Sequence, residues 1–140
     1  MSFHTDFADI LGEGMDYRVF ESATLNEIRC HDEEWTDPDG EVQPGPTIRM
    51  IQYEIDGTDF RIYSLYIADE PGGGSHIRRI AKASADLFAA EGYERVLGLN
   101  FDSTEAGQTF KAQALALGGY EEGDWTVLDI ADFVKLKQVG

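Results

Sequence analysis

The sequence predicts an α/β fold in which helices flank a mixed sheet. Three observations predict it: segments that alternate apolar and polar residues, segments of helical spacing between them, and a glycine-rich turn at 71–74 joining a strand to a helix. The chain has 140 residues, the size of one domain. It shows no internal repeat, and we expect a single domain over residues 1–140.

Composition restricts the classes of function. The chain carries 27 acidic and 11 basic residues, a net charge of −16, and 42% of its residues are hydrophobic, enough for a core. Because an acidic surface repels phosphates, direct nucleic-acid binding is not expected. No apolar segment approaches the roughly 20 residues of a membrane-spanning helix. The single cysteine, Cys30, excludes an internal disulfide, and we expect a cytoplasmic protein.

The charge is unevenly distributed along the chain. Residues 1–70 hold 17 acids and 4 bases, whereas residues 71–140 hold 10 acids and 7 bases. The acidic first half is therefore where we expect a protein partner to bind. Homo-oligomerisation stays open.

The first half predicts a helix, a strand, a second helix and a loop. Apolar residues 3, 7, 10 and 11 share one helical face, which indicates an N-terminal helical extension within residues 1–14. Residues 17–21 alternate as a strand does. Thr24 followed by Glu27 has the spacing of a capping box, which predicts a helix over about 25–35. Prolines and glycines then predict a loop over 36–47.

The second half predicts alternating strands and helices. Strands at 49–55 and 60–67 are joined by Asp56-Gly57, a hairpin signal. Ser75 can cap a helix that ends at Gly92, a strand covers 95–101, and Asp102 or Ser103 can cap a further helix that ends at Gly118. A closing strand is predicted over 125–130.

Residue types and spacing over 65–125 resemble motifs A and B of the GNAT acyltransferase superfamily. Positions that carry the resemblance are the apolar strand Leu65-Tyr66-Ile67, Gly92, Leu97, Leu99, Ser103, Ala106, Phe110 and Gly119-Tyr120. The resemblance implies a GNAT-like fold with a mixed central sheet. We expect the sheet to be partly truncated, because the 36–47 segment offers no good first strand.

The resemblance also implies a function: acyl transfer from an acyl-CoA such as acetyl-CoA to a small-molecule amine, with no metal. The backbone amides of Gly72, Gly73, Gly74 and Ser75 would hold the diphosphate at a helix N-terminus, helped by Arg78, Arg79 or Lys82. Glu54 or Asp69 would be the base that deprotonates the amine.

The sequence departs from the family pattern at the diphosphate loop and at the acid. The family has Arg or Gln at the start of the loop, and neither gapless alignment nor a shift of two residues, which starts it at Glu70, supplies one. Phe110 stands where the family often has a tyrosine that protonates the leaving thiolate. We therefore expect weak or absent transfer.

Two other classes of function stay open. One is a catalytically silent GNAT-fold binding or structural protein, since small GNAT-like proteins of similar size and architecture occur in short-tailed bacteriophages, including virion-associated ones. The other is an acidic inhibitor that mimics nucleic-acid phosphates. Calorimetry with CoA discriminates the enzyme from the silent protein.

Several residues have a structural interpretation beside the functional one. Arg78 and Arg79 could balance an acidic surface, Glu54 and Asp69 could be exposed strand charges, and His76 could be a solvated turn residue. The acidic segment 31–41 fits a solvated loop, because an EF-hand register would put Trp35 at the first ligand position and Pro46 at the last. Cys30 is expected to be a small core residue. Aromatic residues at 53, 60, 63 and 66 fit a groove or a packed core equally.

Overall fold

The computed structural model describes residues 2–67 and 73–136, and at residues 73–77 and 106 it describes the backbone alone. Within these residues the helices are α1 (Phe3–Gly12), α2 (Gly73–Glu91), α3 (Glu105–Ala116) and α4 (Ile130–Phe133), and a short 3-10 helix spans Phe101–Ser103. The strands are β1 (Asp16–Glu21), β2 (Asn26–His31), β3 (Trp35–Thr36), β4 (Val42–Gln43), β5 (Thr47–Asp56), β6 (Asp59–Ile67), β7 (Arg95–Leu99), β8 (Tyr120–Glu122) and β9 (Trp125–Asp129).

A seven-stranded mixed sheet organises the chain, in the order β1-β2-β5-β6-β7-β9-β8. Neighbours are antiparallel except for β6 and β7, which are parallel and are connected through α2. The predicted hairpin between β5 and β6 is present, with Gly57 at φ 61° in its turn. The expected mixed α/β fold, with a large sheet and packed helices, is confirmed. β3 and β4 form a separate two-stranded sheet.

The predicted helix over 25–35 is wrong, because this segment contains β2. Ile28 and Cys30 are fully buried while Arg29 between them is exposed, which is the period of a strand rather than of a helix. Four antiparallel strands therefore precede the glycine-rich turn, so the expected truncation of the sheet is wrong as well. Thr24 lies in the turn before β2 and caps no helix.

The helices pack together on one face of the sheet. The core contains residues of all four helices and the alternate buried residues of the central strands, such as Ile51 and Tyr53 of β5 and Phe60 and Ile62 of β6. Cys30 belongs to this core, as expected, although it lies on a strand. The opposite face carries polar side chains such as Gln52 and Glu54.

The N-terminal extension is part of this core. Ser2 caps α1 by accepting a hydrogen bond from the Thr5 amide, and Phe7 is 2% exposed. The Phe7 ring contacts the rings of Phe60 and Phe88 at centroid distances of 5.5 and 5.4 Å. Helix α1 therefore stabilises β6 and α2 from the same side. None of the helices in the described part of the chain is long and apolar enough to cross a membrane.

Candidate functional site

The parallel strands β6 and β7 separate at their carboxyl ends. Their pairing runs from Asp59–Arg95 to Ile62–Gly98 and stops there, although β6 continues to Ile67. The reason lies in the pairing of β6 with β5: Tyr53 pairs with Ile62 and Gln52 with Ser64, which leaves Tyr63 as an extra residue. Such a bulge bends its strand. β6 thus turns away from β7 and leaves a gap between the two strands beyond the Ile62–Gly98 pair.

The floor of the gap is formed by residues that follow β7. The ring of Phe101 lies on Gly98 so closely that a Cβ at Gly98 would overlap three of its ring atoms. Thr104 donates a hydrogen bond from Oγ1 to the carbonyl oxygen of Leu65 in β6, at 3.1 Å, and its hydroxyl also accepts from the Gly107 amide at 3.0 Å. Both contacts tie the start of α3 to the separated strands.

A cluster of polar and aromatic side chains lies on the helix-free face of the sheet beside the gap. Tyr63 donates from its hydroxyl to Oε1 of Glu54 at 3.1 Å. Arg61 lies 4.0 Å from the same oxygen and pairs with Asp56 at 3.1 Å. The Trp125 ring meets the Tyr63 ring edge-on at 5.7 Å, and the Arg61 guanidinium lies 6.0 Å from its centroid. Glu54 is about one-third exposed, so this carboxylate is accessible from solvent.

A polar groove of about 430 Å³ adjoins the cluster at Trp125. It runs between the 3-10 helix and the turn from β8 to β9, where Asp124 lies. Lys111 lines it and pairs with Asp102 at 2.9 Å and with Glu121. The hydrogen bonds to Glu121 and Asp102 raise the pKa of Lys111. Lys111 therefore keeps its positive charge, which the two carboxylates balance. The carboxylates that line the groove outnumber the ammonium group of Lys111, so the groove has a net negative charge, which favours a cationic ligand.

The predicted diphosphate cradle lies partly outside the described residues, since Gly72 falls in the 68–72 segment. Asp69, one of the two candidate bases, falls in the same segment. Gly73, Gly74 and Ser75 are the first three residues of α2. Ser75 is therefore not the cap of the helix, because the helix begins at Gly73, three residues before the first helical residue that a cap at Ser75 predicts. The first amides of a helix lack partners within the helix and favour anions, so these three residues retain the chemistry expected of them.

The basic residues that follow are not equivalent. Arg79 donates from Nε to Glu13 at 3.1 Å, and Lys82 donates to the carbonyl oxygen of Val134 at 2.8 Å and to Asp86 at 3.3 Å. Arg78 is exposed, and no ion pair is found for it among the described residues. The two arginines predicted to act together are thus separated: Arg78 extends into solvent and Arg79 is held by α1.

A buried arginine completes this region. Arg49 of β5 is 2% exposed and donates from Nη1 to the Leu11 carbonyl oxygen at 2.8 Å and to Glu13 at 3.0 Å. Burial alone would raise the pKa of Glu13, but the hydrogen bond from Arg79 and the charges of Arg49 and Arg79 lower it overall. Glu13 is therefore the carboxylate that joins α1, β5 and α2.

The acidic segment after β2 has local hydrogen bonds. Asp37 accepts from the backbone amides of Asp39 and Glu41 and from the Gln43 side chain, and the Glu41 amide is the main reason that the pKa of Asp37 is lowered. His31 lies 3.2 Å from the Gly45 carbonyl oxygen. Over residues 2–67 and 73–136, no group of three His, Cys, Asp or Glu side chains could hold a metal ion.

Two residues of this region, Arg49 and Trp125, do not stand out in sequence analysis, and Tyr63 stands out there only as one of four aromatic residues that fit a groove or a packed core. Arg49 shares the buried face of β5 with Ile51 and Tyr53, so a charged residue in phase with an apolar stripe is the signal that could have found it. Phe110, at the family's tyrosine position, lines the apolar core rather than the polar cluster.

Comparisons with known proteins give one similar solved structure. No family model matches the chain, and no curated protein does. The similar structure is a solution NMR structure of YhhK from E. coli, a candidate N-acetyl transferase bound to coenzyme A. It has 12% sequence identity and a TM-score of 0.47, and the alignment covers 90% of this chain and 88% of that chain.

Proposed function

We propose that this chain binds an acyl-CoA in the gap between β6 and β7 and transfers the acyl group to an amine. The observation that carries the proposal is the gap itself, which the Tyr63 bulge opens beyond the Ile62–Gly98 pair. In open α/β sheets, ligands bind in crevices at the carboxyl ends of strands. Here the crevice lies between two parallel strands joined through α2, whose N-terminus follows β6.

Different residues would bind the amide-containing chain of the acyl-CoA and its phosphate groups. No strand pairs with the gap side of β6 beyond Ile62 in the described part of the chain. Thr104 already donates to the Leu65 carbonyl oxygen, so an amide-containing chain would bind to other backbone groups of this segment. The amides of Gly73, Gly74 and Ser75 would hold phosphate oxygens, and the exposed Arg78 would add a charge. The donor supplies a thioester, which is activated toward amines.

Glu54 and Tyr63 supply proton transfer on the helix-free face. Glu54 would take a proton from the incoming ammonium group, because it is accessible and already accepts a hydrogen bond. Tyr63 has a hydroxyl group at the bulge of β6, whereas Phe110, at the family's tyrosine position, has none. The acidic groove beside Trp125 would bring the cationic acceptor to this face. Asp69, the other candidate base, lies outside the described residues.

Calorimetry with CoA and acetyl-CoA tests the proposal. We expect a Kd on the order of micromolar, and we expect Arg78→Glu to weaken it about tenfold through charge repulsion. Lys135→Glu is the matched control, since it makes the same charge change at an exposed residue of the segment after α4 and should leave the Kd within about twofold. No heat up to millimolar ligand would overturn the proposal.

Glu54→Gln tests the proposed base separately. We expect CoA binding to persist while thiol release with benzylamine or a lysine peptide falls by about 100-fold or more, since proton transfer contributes roughly 10²–10⁴-fold. Equal rates for both proteins would remove Glu54 from the mechanism and leave CoA binding standing.

A second candidate function is a catalytically silent binding protein. The pairing of Arg79 with Glu13 favours it, because this contact occupies one of the cations expected to bind the diphosphate. In that case the acidic residues 1–70 would bind a basic protein partner. Such binding should weaken steeply between low and high salt, and a salt-independent complex would contradict it.

A further inference from the structure

An apolar cavity of about 50 Å³ lies in the core, directly below the gap between β6 and β7. Leu65 of β6 and Gly98 of β7 line it from the two separated strands, and Phe101 lines it from the segment after β7. Helix α3 closes it with Phe110 and Ala114. The cavity therefore borders the gap in which the proposed function puts the thioester, and Gly98 and Phe101 lie at both.

We propose that this cavity receives the acyl chain, and that the preferred donor is a short acyl-CoA longer than acetyl-CoA. This inference rests on the proposed function and names the donor class. An apolar cavity of about 150 Å³ holds the six carbons of benzene, so about 50 Å³ has room for about two carbons. An acyl group of about three to four carbons, propionyl or butyryl, would fill it.

The chemistry of the lining favours hydrocarbon over water. Most lining side chains are aliphatic or aromatic. Each methylene group that moves from water into such a cavity makes the free energy of binding more favourable. Ser84 and Thr126, both 5% exposed, and Gln113 are the polar residues in the wall. Water held by these groups is the competing occupant, and it would reduce the gain per methylene.

Calorimetry with CoA, acetyl-CoA, propionyl-CoA and butyryl-CoA on the full chain tests the inference. Each methylene that enters the cavity should strengthen binding by about fourfold, so butyryl-CoA should bind roughly tenfold or more tightly than acetyl-CoA. Equal Kd values for the three acyl-CoAs, or weaker binding of butyryl-CoA, would overturn the cavity assignment and leave CoA binding intact. No binding of any of the four would overturn the proposed function and this inference with it.

A pair of variants on one helix shows whether the cavity is responsible. Ala114 is 8% exposed and lines the cavity, so Ala114→Leu fills it and should abolish the preference for butyryl-CoA over acetyl-CoA. Ala116 is exposed on the same helix, and Ala116→Leu should keep the preference. A butyryl preference that survives in Ala114→Leu would contradict the inference. If circular dichroism shows that Ala114→Leu does not fold, Ser84→Val fills the cavity from α2 and takes its place.

Discussion

Glu13 ends α1 in the left-handed region, at φ 47°, and there meets the guanidinium groups of Arg49 and Arg79. Arg49 is almost fully buried, so its charge requires a carboxylate nearby. The pKa of Glu13 is lowered in the folded chain, below its usual value of 4.5. A lowered pKa means that this contribution to stability is present above pH 4.5 and is lost as the pH falls through the folded value.

Glu13→Gln should lower the free energy of unfolding by about 2 kcal/mol, because the buried guanidinium of Arg49 loses the opposite charge of Glu13. Urea denaturation at pH 7 measures it. Glu34→Gln, at an exposed position, is the control and should change stability by less than about 0.5 kcal/mol. The difference between the two variants should shrink below pH 4.5. A constant difference down to pH 3 would show that the charge of Glu13 is not what stabilises the fold.

The contact between the Phe101 ring and Gly98 can be tested with single and double substitutions. Gly98→Ala alone should destabilise the fold by about 1–3 kcal/mol, because the new methyl group overlaps the Phe101 ring. With Phe101→Ala present, the same change should cost less than about half as much, since the ring is gone. Strictly additive free energies of unfolding would show that the ring does not rest on Gly98.

The side chain of Thr104 caps α3 and joins the start of this helix to β6. Thr104→Val removes the N-cap hydrogen bond to Gly107 and the bond to Leu65, and should lower the free energy of unfolding by about 1–2 kcal/mol. Thr104→Ser keeps the hydroxyl and should recover most of that loss, as followed by chemical denaturation. If serine and valine behave alike, the hydroxyl contacts do not stabilise the join between α3 and β6.

The strand of 60–67 is predicted by the sequence, but its bulge is not. In the structure Phe60 and Ile62 are buried two residues apart and the next buried residue, Leu65, lies three residues on, which is the shift that an inserted strand residue produces. The sequence alone does not show this shift, because residues 63, 66 and 67 are aromatic or aliphatic as well. The contact of Tyr63 with Glu54 depends in turn on the cross-strand register.

The β2 segment shows why local signals fail. Thr24 and Glu27 have capping-box spacing, yet Ile28 and Cys30 alternate with exposed neighbours, and a central position between β1 and β5 favours the strand. At the site, Glu54 lies on a strand, as predicted, but the pairing of Arg79 with Glu13 joins residues 66 positions apart. Long-range pairs of this kind leave no local pattern.

The whole molecule has a net charge of −16 at pH 7 and an isoelectric point near 4.3. Self-repulsion at pH 7 should therefore exceed the small contributions of exposed ion pairs. Raising NaCl from 10 to 300 mM should raise the Tm by a few degrees, roughly what 1 kcal/mol produces in a domain of this size. Scanning calorimetry measures this, and a Tm that falls with salt would show that attractive pairs dominate.

Trp125 gives the candidate site an optical reporter. The chain has two tryptophans; Trp35 is 52% exposed on the small β3–β4 sheet, whereas Trp125 lies against Tyr63 and near Arg61. After Trp35→Phe, all tryptophan emission comes from beside the gap. A donor or acceptor that enters there would then change the emission wavelength or its quenching by iodide, so occupancy could be followed in real time without a labelled ligand.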